Sequence, residues 1–250
     1  MTQLDILPVL ILIGRPASGK SEIIDYLQNL ADGDRRDKFH LGELYVIDDF
    51  PMLWAWFEED DILSQRLNQP RLHTDEKGYF KHTYQWDLLV ERLDLEYHKR
   101  LRDGTDLDES QTIIIEFSRG SQHGGYERAL SRLSTELLQN AGIIYLAVPY
   151  EESLRKNRAR FNPAHPDSIL EHGVPEEKLE LLYREDDWQS LIHDDPTSLH
   201  INSVDIPYVV FENEDDVTSG QIEMLDQRLT KRLGNLFRLY RDRPNQTTIR

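Results

Sequence analysis

The sequence predicts an α/β fold in three layers, with a five-stranded parallel sheet between two layers of helices. Five short apolar runs, rich in β-branched residues, recur along the 250 residues. Such runs are typical of strands that are buried on both faces. Segments with helical periodicity separate them, which is the alternation that a parallel sheet requires. Polar or charged residues follow every run, at the edge of the sheet where ligands bind in such folds.

The first half of the chain alternates strands and helices. Residues 8–13 form the first predicted strand, and residues 21–30 place Ile23, Ile24 and Leu27 on one helical face. Because Pro51 cannot continue a hydrogen-bonded ladder, the second strand ends before it. In order, we expect a polar connection over 32–38, a strand over 44–47, a helix over 51–68, a loop over 69–81, a helix over 84–102 and a strand over 111–117.

The second half continues the same alternation. Pro149 stops the fourth strand, and Pro175 suits the first turn of a helix. The predicted elements are a helix over 125–140, a strand over 143–148, a basic helix over 151–160, a loop over 163–173, a helix over 175–192, a strand over 207–211, a helix over 219–240 and a loose tail that contains Pro244.

The connection after the first strand carries the most specific motif in the chain. Residues 14–21 read Gly-Arg-Pro-Ala-Ser-Gly-Lys-Ser and match G-x-x-x-x-G-K-[ST], the phosphate-binding loop or P-loop. Its amides and the following helix N-terminus favour an anion. The motif predicts that Lys20 reaches the β- and γ-phosphates of a nucleotide triphosphate and that Ser21 ligates Mg²⁺. The predicted nucleotide-binding residues are Gly14, Arg15, Pro16, Ala17, Ser18, Gly19, Lys20 and Ser21.

Acidic residues end the second and third predicted strands. Asp48 and Asp49 follow the second, and Asp48 can serve as a base for an acceptor hydroxyl or bind Mg²⁺ through water; alternatively, it is a solvated turn acid or a helix cap. Glu116 ends the third strand and, because an unpaired buried charge is costly, should meet a metal or a donor. Arg119 can bind a substrate phosphate or carboxylate, unless it simply pairs with Glu116.

A basic helix follows the fourth strand. Residues 155–160 hold four basic residues and no acid, with Arg155 and Arg158 on one helical face and Arg160 beside them. Arginines on a mobile element near a P-loop suggest a lid that closes over the transferring phosphoryl group. The alternative is a solvated basic face that balances Glu151 and Glu152.

Aromatic residues are concentrated between the second and third strands, where an acceptor would bind. They could stack on a flat substrate, but we expect most of them to pack in the core or between helices. They are Trp54, Trp56, Phe57, Tyr79, Tyr84 and Trp86.

Composition limits the possible partners. The net charge of −17 argues against general nucleic-acid or anionic-membrane binding. There is no cysteine, so disulfides and thiolate–metal sites are excluded. No apolar stretch approaches the length of a membrane span, and the N-terminus lacks a signal-peptide pattern. We therefore expect a cytoplasmic protein, monomeric or homodimeric.

Taken together, the P-loop, Asp48, residues 116–119, the arginine-rich helix and Asn213 after the fifth strand resemble the P-loop kinases of small molecules. That family includes nucleoside, nucleotide, gluconate and adenylylsulfate kinases. The resemblance implies a strand order of 2-3-1-4-5, an ATP donor with Mg²⁺, a helical lid, Asp48 facing the acceptor and Asn213 near adenine. In the Glu116-Phe117-Ser118-Arg119 segment the arginine is displaced from its place in the similar motif of deoxynucleoside kinases.

These observations predict one P-loop kinase-like domain over residues 1–250, with an acceptor-side helical region at about 50–105 and a lid at about 150–195. The predicted activity is ATP-dependent phosphoryl transfer to a small-molecule acceptor. Its catalytic residues would be Lys20, Asp48, Arg155 and Arg158; Glu116 and Ser21 would hold the metal, and Asp48, Glu116 and Arg119 the acceptor. The alternative is a nucleotide-binding regulatory or ATPase module that has no small-molecule acceptor.

Overall fold

The computed structural model describes residues 5–104, 110–160, 174–193 and 195–243. Its centre is a mixed sheet of six strands with helices on both sides. The strands are β1 (Val9–Gly14), β2 (Glu43–Asp48), β3 (Gln111–Phe117), β4 (Ala141–Ala147), β5 (Ser198–Ile201) and β6 (Val204–Glu212). They lie in the order β2-β3-β1-β4-β6-β5. The predicted loop over 163–173 and the tail beyond residue 243 lie outside the described residues.

The helices occupy the segments between the strands. They are α1 (Lys20–Gln28), α2 (Asp32–Phe39), α3 (Phe50–Asp61), α4 (Tyr84–Arg102), α5 (Gly125–Leu130), α6 (Thr135–Gln139), α7 (Tyr150–Arg160), α8 (Glu176–Tyr183), α9 (Trp188–Leu191) and α10 (Ile222–Arg241). A π-helical turn, Ile62–Arg66, extends α3. None of the helices within the described ranges has a stretch long and apolar enough to cross a membrane.

The prediction of a five-stranded parallel sheet in the order 2-3-1-4-5 is wrong, because the sheet has six strands in the order β2-β3-β1-β4-β6-β5 and one of them is antiparallel. The five predicted strands correspond to β1, β2, β3, β4 and β6, and neighbours among them pair in parallel. The additional strand, β5, pairs antiparallel with β6 at the edge. A two-residue turn joins them, with Asn202 and Ser203 at φ of 50° and 64°, as type I′ hairpins require. With only four residues, β5 is too short for a clear alternation.

Two hydrophobic clusters hold the layers together, one on each face of the sheet. Successive β1 side chains alternate between them, because neighbouring side chains on a strand point to opposite faces. Ile11 and Ile13 contribute to the cluster that includes α4, α5 and α6. Leu10 and Leu12 contribute to the cluster that includes α1 and α10. The central strand is therefore fixed from both sides, and so is the loop that follows it.

Three predicted segments differ from the structure in ways that tertiary contacts explain. Residues 32–38 are not a connection but most of α2, whose Arg35 is buried and donates to the Gly42 carbonyl at 2.7 Å. The helix predicted over 125–140 is broken into α5 and α6, where the Ser134 hydroxyl accepts from the Leu137 amide. The helix predicted over 175–192 is broken into α8 and α9, because the Arg15 guanidinium takes the carbonyls of Tyr183 and Arg184 at the end of α8.

Candidate functional site

The P-loop connects β1 to α1 and approaches its neighbours too closely for side chains at its glycines. A Cβ on Gly19, whose φ is +109°, would lie 2.6 Å from the Asn213 amide nitrogen and 2.7 Å from the Thr218 hydroxyl. A Cβ on Gly14 would lie 2.8 Å from the Leu146 carbonyl oxygen. Ala17 also adopts a left-handed conformation, with φ of 55°. Both motif glycines are therefore required by the local geometry.

Several backbone amides of the loop have no hydrogen-bond acceptor in the described part of the chain. The Ser18 amide donates to the Arg15 carbonyl at 3.2 Å. Among the described residues, however, no acceptor is found for the amides of Ala17, Gly19, Lys20 and Ser21, and no side chain caps the N-terminus of α1. Such groups at the start of a helix are suited to an anion, which would supply the missing acceptors.

The Lys20 side chain lies across the loop. Its ammonium nitrogen donates to the carbonyls of Gly14 (3.3 Å) and Arg15 (3.0 Å) and to the Ser118 hydroxyl (2.8 Å). It also lies 3.9 Å from a Glu116 carboxylate oxygen. Burial lowers the pKa of Lys20, and the charge of Glu116 opposes that shift. The ammonium therefore lies at the loop, as the motif predicts.

Two acidic residues face this lysine from adjacent strands. Asp48 and Glu116 are directly opposite each other in the β2–β3 register. Burial raises the pKa of both carboxyls, and Lys20 opposes the shift at each. One Asp48 oxygen, Oδ1, accepts from the Phe50 amide at 2.9 Å at the start of α3. Within the described ranges its Oδ2 accepts no hydrogen bond. Asp48 thus fixes the start of α3 and still has one oxygen for another donor.

Arg119 pairs with Asp49, which differs from both predicted alternatives. Its Nη1 lies 2.6 Å from an Asp49 oxygen and 2.7 Å from the Ser118 carbonyl, and only 2% of its side chain is exposed. Nη2 donates to the Trp86 carbonyl at 3.4 Å. The predicted ion pair between Arg119 and Glu116 is not found. The guanidinium contacts protein groups, and its predicted contact with a phosphate or carboxylate of an acceptor stays a prediction.

The three predicted lid arginines have different surroundings. Arg155 contacts Glu152 and Asp216, and Arg158 contacts Glu176, with 57% and 59% of the side chains exposed. Arg160 instead approaches the P-loop, with Nη2 3.5 Å from the Ser21 hydroxyl. The structure therefore brings Arg160 to the loop and leaves Arg155 and Arg158 on surface ion pairs. The catalytic roles of Arg155 and Arg158 stay predictions.

Several residues hold the P-loop rather than point into it. The Asn213 side-chain amide donates to the Ser18 carbonyl and to the Thr218 hydroxyl, each at 2.8 Å. The Ser153 hydroxyl of α7 donates to the Pro16 carbonyl at 2.7 Å. The position of Asn213 near adenine stays a prediction. Ser153 and Thr218 were missed, because a single hydroxyl on a helix or in a loop has no distinctive sequence signal.

The Arg15 side chain contacts other segments of the protein. It donates to the carbonyls of Tyr183 (3.1 Å), Val148 (3.1 Å) and Arg184 (3.2 Å). It also forms a 3.0 Å ion pair with Asp186. Only the backbone of Arg15 belongs to the predicted nucleotide site; its side chain joins the loop to the segment after α8.

The aromatic residues between β2 and β3 contact one another and several histidines. Trp56 stacks on His73 with a centroid separation of 4.9 Å, and Trp86 stacks on His123 at 3.8 Å. Phe57 stacks on Phe80 at 6.0 Å. These contacts agree with the expectation that most of them serve in packing. Elsewhere, a cavity of about 320 Å³ lined by Asp187, His200 and their neighbours contains none of the predicted site residues.

The chain was compared with protein families, curated proteins and solved structures. No protein-family model matches the sequence, and no curated protein matches it. A sugar kinase from a Janibacter species is 16% identical over 92% of this chain and 96% of its own, with a TM-score of 0.37. A Thermus thermophilus protein is 17% identical over 91% and 97%, with a TM-score of 0.42. A Chloroflexus aurantiacus protein, provisionally described as a kinase, is 12% identical over 93% and 100%, with a TM-score of 0.41. These values do not establish a family for this chain.

Proposed function

We propose that the protein is a Mg²⁺–ATP-dependent phosphotransferase that acts on a small-molecule acceptor. The single observation that carries the proposal is the Lys20 ammonium lying 3.0 Å from the Arg15 carbonyl and 3.3 Å from that of Gly14, beside loop amides that have no acceptor among the described residues. An ammonium and several convergent amides are suited to a triphosphate, because they stabilise its charge before and during transfer.

The reaction follows from the positions of Lys20 and Asp48. An acceptor hydroxyl attacks the γ-phosphorus, the bond from that phosphorus to the β–γ bridging oxygen breaks, and ADP leaves with the electron pair. The acceptor proton passes to Asp48. Burial and the neighbouring Asp49 raise the pKa of Asp48, which makes this carboxylate a stronger base than an exposed one. Lys20 and Arg160 stabilise the charge of the transferring group.

The donor groups at the site fit Mg²⁺. This ion is usually held by one or two carboxylates together with substrate phosphates. Within the described parts of the chain, no group of three or more His, Cys, Asp or Glu residues forms a metal cage. Ser21 and Glu116 would hold the ion, with Asp48 available through water. Bound Mg²⁺ would neutralise charge on the phosphate oxygens.

Calorimetry with a non-hydrolysable ATP analogue and Mg²⁺ tests the proposal. We expect saturable binding to the wild type and at least about tenfold weaker binding to Lys20→Ala, because a charge-assisted contact is lost. Lys38→Ala, which removes a half-exposed lysine paired with Asp226, should bind like the wild type. Absence of binding to the wild type would overturn the proposal.

An acceptor screen then separates a kinase from a module that only hydrolyses ATP. A kinase should release ADP much faster with one class of hydroxyl compound than without it. Lys20→Ala should abolish this acceptor-dependent release. An ATPase or regulatory module would bind the analogue equally well and show one basal rate with every compound.

A further inference from the structure

The groups that would surround the acceptor are more acidic than basic. On the proposed function, the γ-phosphoryl group lies beside Lys20, and the acceptor hydroxyl lies beside Asp48 and Glu116. Asp49 follows Asp48 directly, so three carboxylates lie at the ends of β2 and β3. Asp48 lies opposite Glu116 in the β2–β3 register, and the Asp49 amide donates to the Glu116 carbonyl at 3.4 Å, so the three acids are close together.

Arg119, a buried cation that follows β3, is already neutralised. Arg119 makes a 2.6 Å ion pair with Asp49 and donates to two backbone carbonyls. Separating a buried pair of this kind leaves an uncompensated charge, which is strongly unfavourable. An anionic acceptor would have to compete with Asp49 for this guanidinium.

Two other cations are also engaged, namely Arg71 of the acceptor-side helical region and Lys178 of α8. Arg71 pairs with Asp61 at 2.8 Å. Lys178 donates to the Gly78 carbonyl at 2.8 Å and lies over the rings of Phe57 and Tyr79.

The positive side chains around the proposed nucleotide are balanced by the nucleotide itself and leave no excess positive charge for an anionic acceptor. A triphosphate with Mg²⁺ carries a net charge of about −2 near neutral pH. Lys20 and Arg160 together supply two positive charges, and the ion pair of Arg119 with Asp49 is neutral. The negative charges of Asp48 and Glu116 are then left over. They would repel an anionic acceptor, because like charges that are close and poorly solvated repel strongly.

We propose that the acceptor is a hydroxyl compound that carries no phosphate or carboxylate group, such as a neutral sugar, a polyol or a nucleoside. This inference rests on the proposed function and names its substrate class. Asp49 is then a specificity residue, because it occupies the guanidinium that a phosphate or carboxylate would otherwise use. Asp48 and Glu116 accept hydrogen bonds from acceptor hydroxyls.

Matched pairs of compounds test the charge preference. ADP release with Mg²⁺–ATP is measured for hexoses against hexose phosphates and aldonic acids, and for nucleosides against nucleoside monophosphates. We expect that any compound that accelerates ADP release is the uncharged member of its pair, with a kcat/KM at least about tenfold above that of the anionic member. Equal or greater activity with an anionic member overturns the inference and leaves the phosphotransferase proposal standing.

A second measurement applies even when no tested acceptor is active. With the analogue and Mg²⁺ bound, inorganic sulfate is titrated by calorimetry as a probe for a free cationic subsite. We expect no sulfate binding in the millimolar range. Sulfate binding that Arg119→Lys weakens overturns the inference, because it shows that this guanidinium accepts an external anion. Failure of the analogue itself to bind instead overturns the proposed function, so the two failures are distinguishable.

Discussion

Asp49 and Arg119 form the most deeply buried ion pair that involves a predicted site residue. We expect Arg119→Met to lower the free energy of unfolding by about 3–5 kcal/mol, because it leaves the Asp49 carboxylate buried without its partner. The double variant Asp49→Asn, Arg119→Met should lose less than the two single variants added together. Urea denaturation measures all three.

A surface pair provides the matched control. Arg128 and Asp87 are also 2.6 Å apart, but 44% of the Arg128 side chain is exposed. Arg128→Met should therefore cost at most about 1 kcal/mol. If Arg119→Met costs no more than Arg128→Met, the Asp49–Arg119 pair is not the buried, stabilising contact described above.

Glu116 gives the protein a pH dependence of known sign. Burial raises its pKa to about 7, whereas in the unfolded chain the pKa is about 4.3. The folded state therefore holds a proton that the unfolded chain has already released, so the contribution of Glu116 to stability is present at low pH and is lost as the pH rises through about 7.

Comparison with a variant isolates this contribution. Between about pH 5 and pH 8, the free energy of unfolding without nucleotide should fall more steeply for the wild type than for Glu116→Gln. Chemical denaturation at several pH values measures both slopes. Parallel slopes would mean that Glu116 ionises at its ordinary pKa in the folded protein.

At the scale of elements, α7 presents different arginines to different surroundings. Arg160 approaches Ser21, whereas Arg158 pairs with Glu176 on the surface. We expect Arg160→Ala to weaken binding of the ATP analogue by about tenfold, since a cation near the phosphates is lost. Arg158→Ala should change binding by less than about twofold. Calorimetry under identical salt conditions compares them, and the reverse order would place Arg158 at the nucleotide.

The sequence alone was sufficient to predict the bounds of elements whose hydrophobic pattern is long or continuous. The helix over 84–102 and the strand over 111–117 agree with α4 and β3 to the residue. The break between α8 and α9 was not predictable, because it depends on Arg15, which is more than 160 positions away. In the same way, β5 depends on pairing with β6 rather than on its own four residues.

The same distinction holds for the candidate site. The motif places Gly14, Gly19 and Lys20 in the positions that the structure gives them, because the loop is local and its spacing is restrictive. The arginines of α7 were harder to assign, since helical spacing puts Arg155 and Arg158 on one face without indicating what that face contacts. The partner of Arg119 was also ambiguous, because three carboxylates lie within reach.

At the scale of the whole molecule, Arg15 joins the P-loop to the opposite side of the site. It contacts the end of β4 and the segment after α8, and Asp186, its ion-pair partner, also accepts from the Tyr145 hydroxyl at 3.1 Å. We expect Arg15→Met to lower the free energy of unfolding by about 2–4 kcal/mol, because three carbonyls and one carboxylate lose their donor.

Arg15→Met should lower the stability of the protein while leaving its affinity for the ATP analogue nearly unchanged. Its guanidinium points away from the loop amides, so added ATP analogue should still bind within about fivefold of the wild-type affinity. Thermal unfolding with and without the analogue measures both effects. If binding is lost while stability is unchanged, the Arg15 side chain contacts the nucleotide directly.

The contacts of Lys20 with its own loop have one more consequence. On the proposed function, a triphosphate that binds here takes the place of the Gly14 and Arg15 carbonyl oxygens that already accept from the Lys20 ammonium. Such binding would exchange the acceptors of the Lys20 ammonium, with charged phosphate oxygens in place of carbonyl oxygens. On the same proposal, an uncharged molecule of the same shape would not compensate for the hydrogen bonds that are lost, so the loop would favour an anion over a neutral molecule.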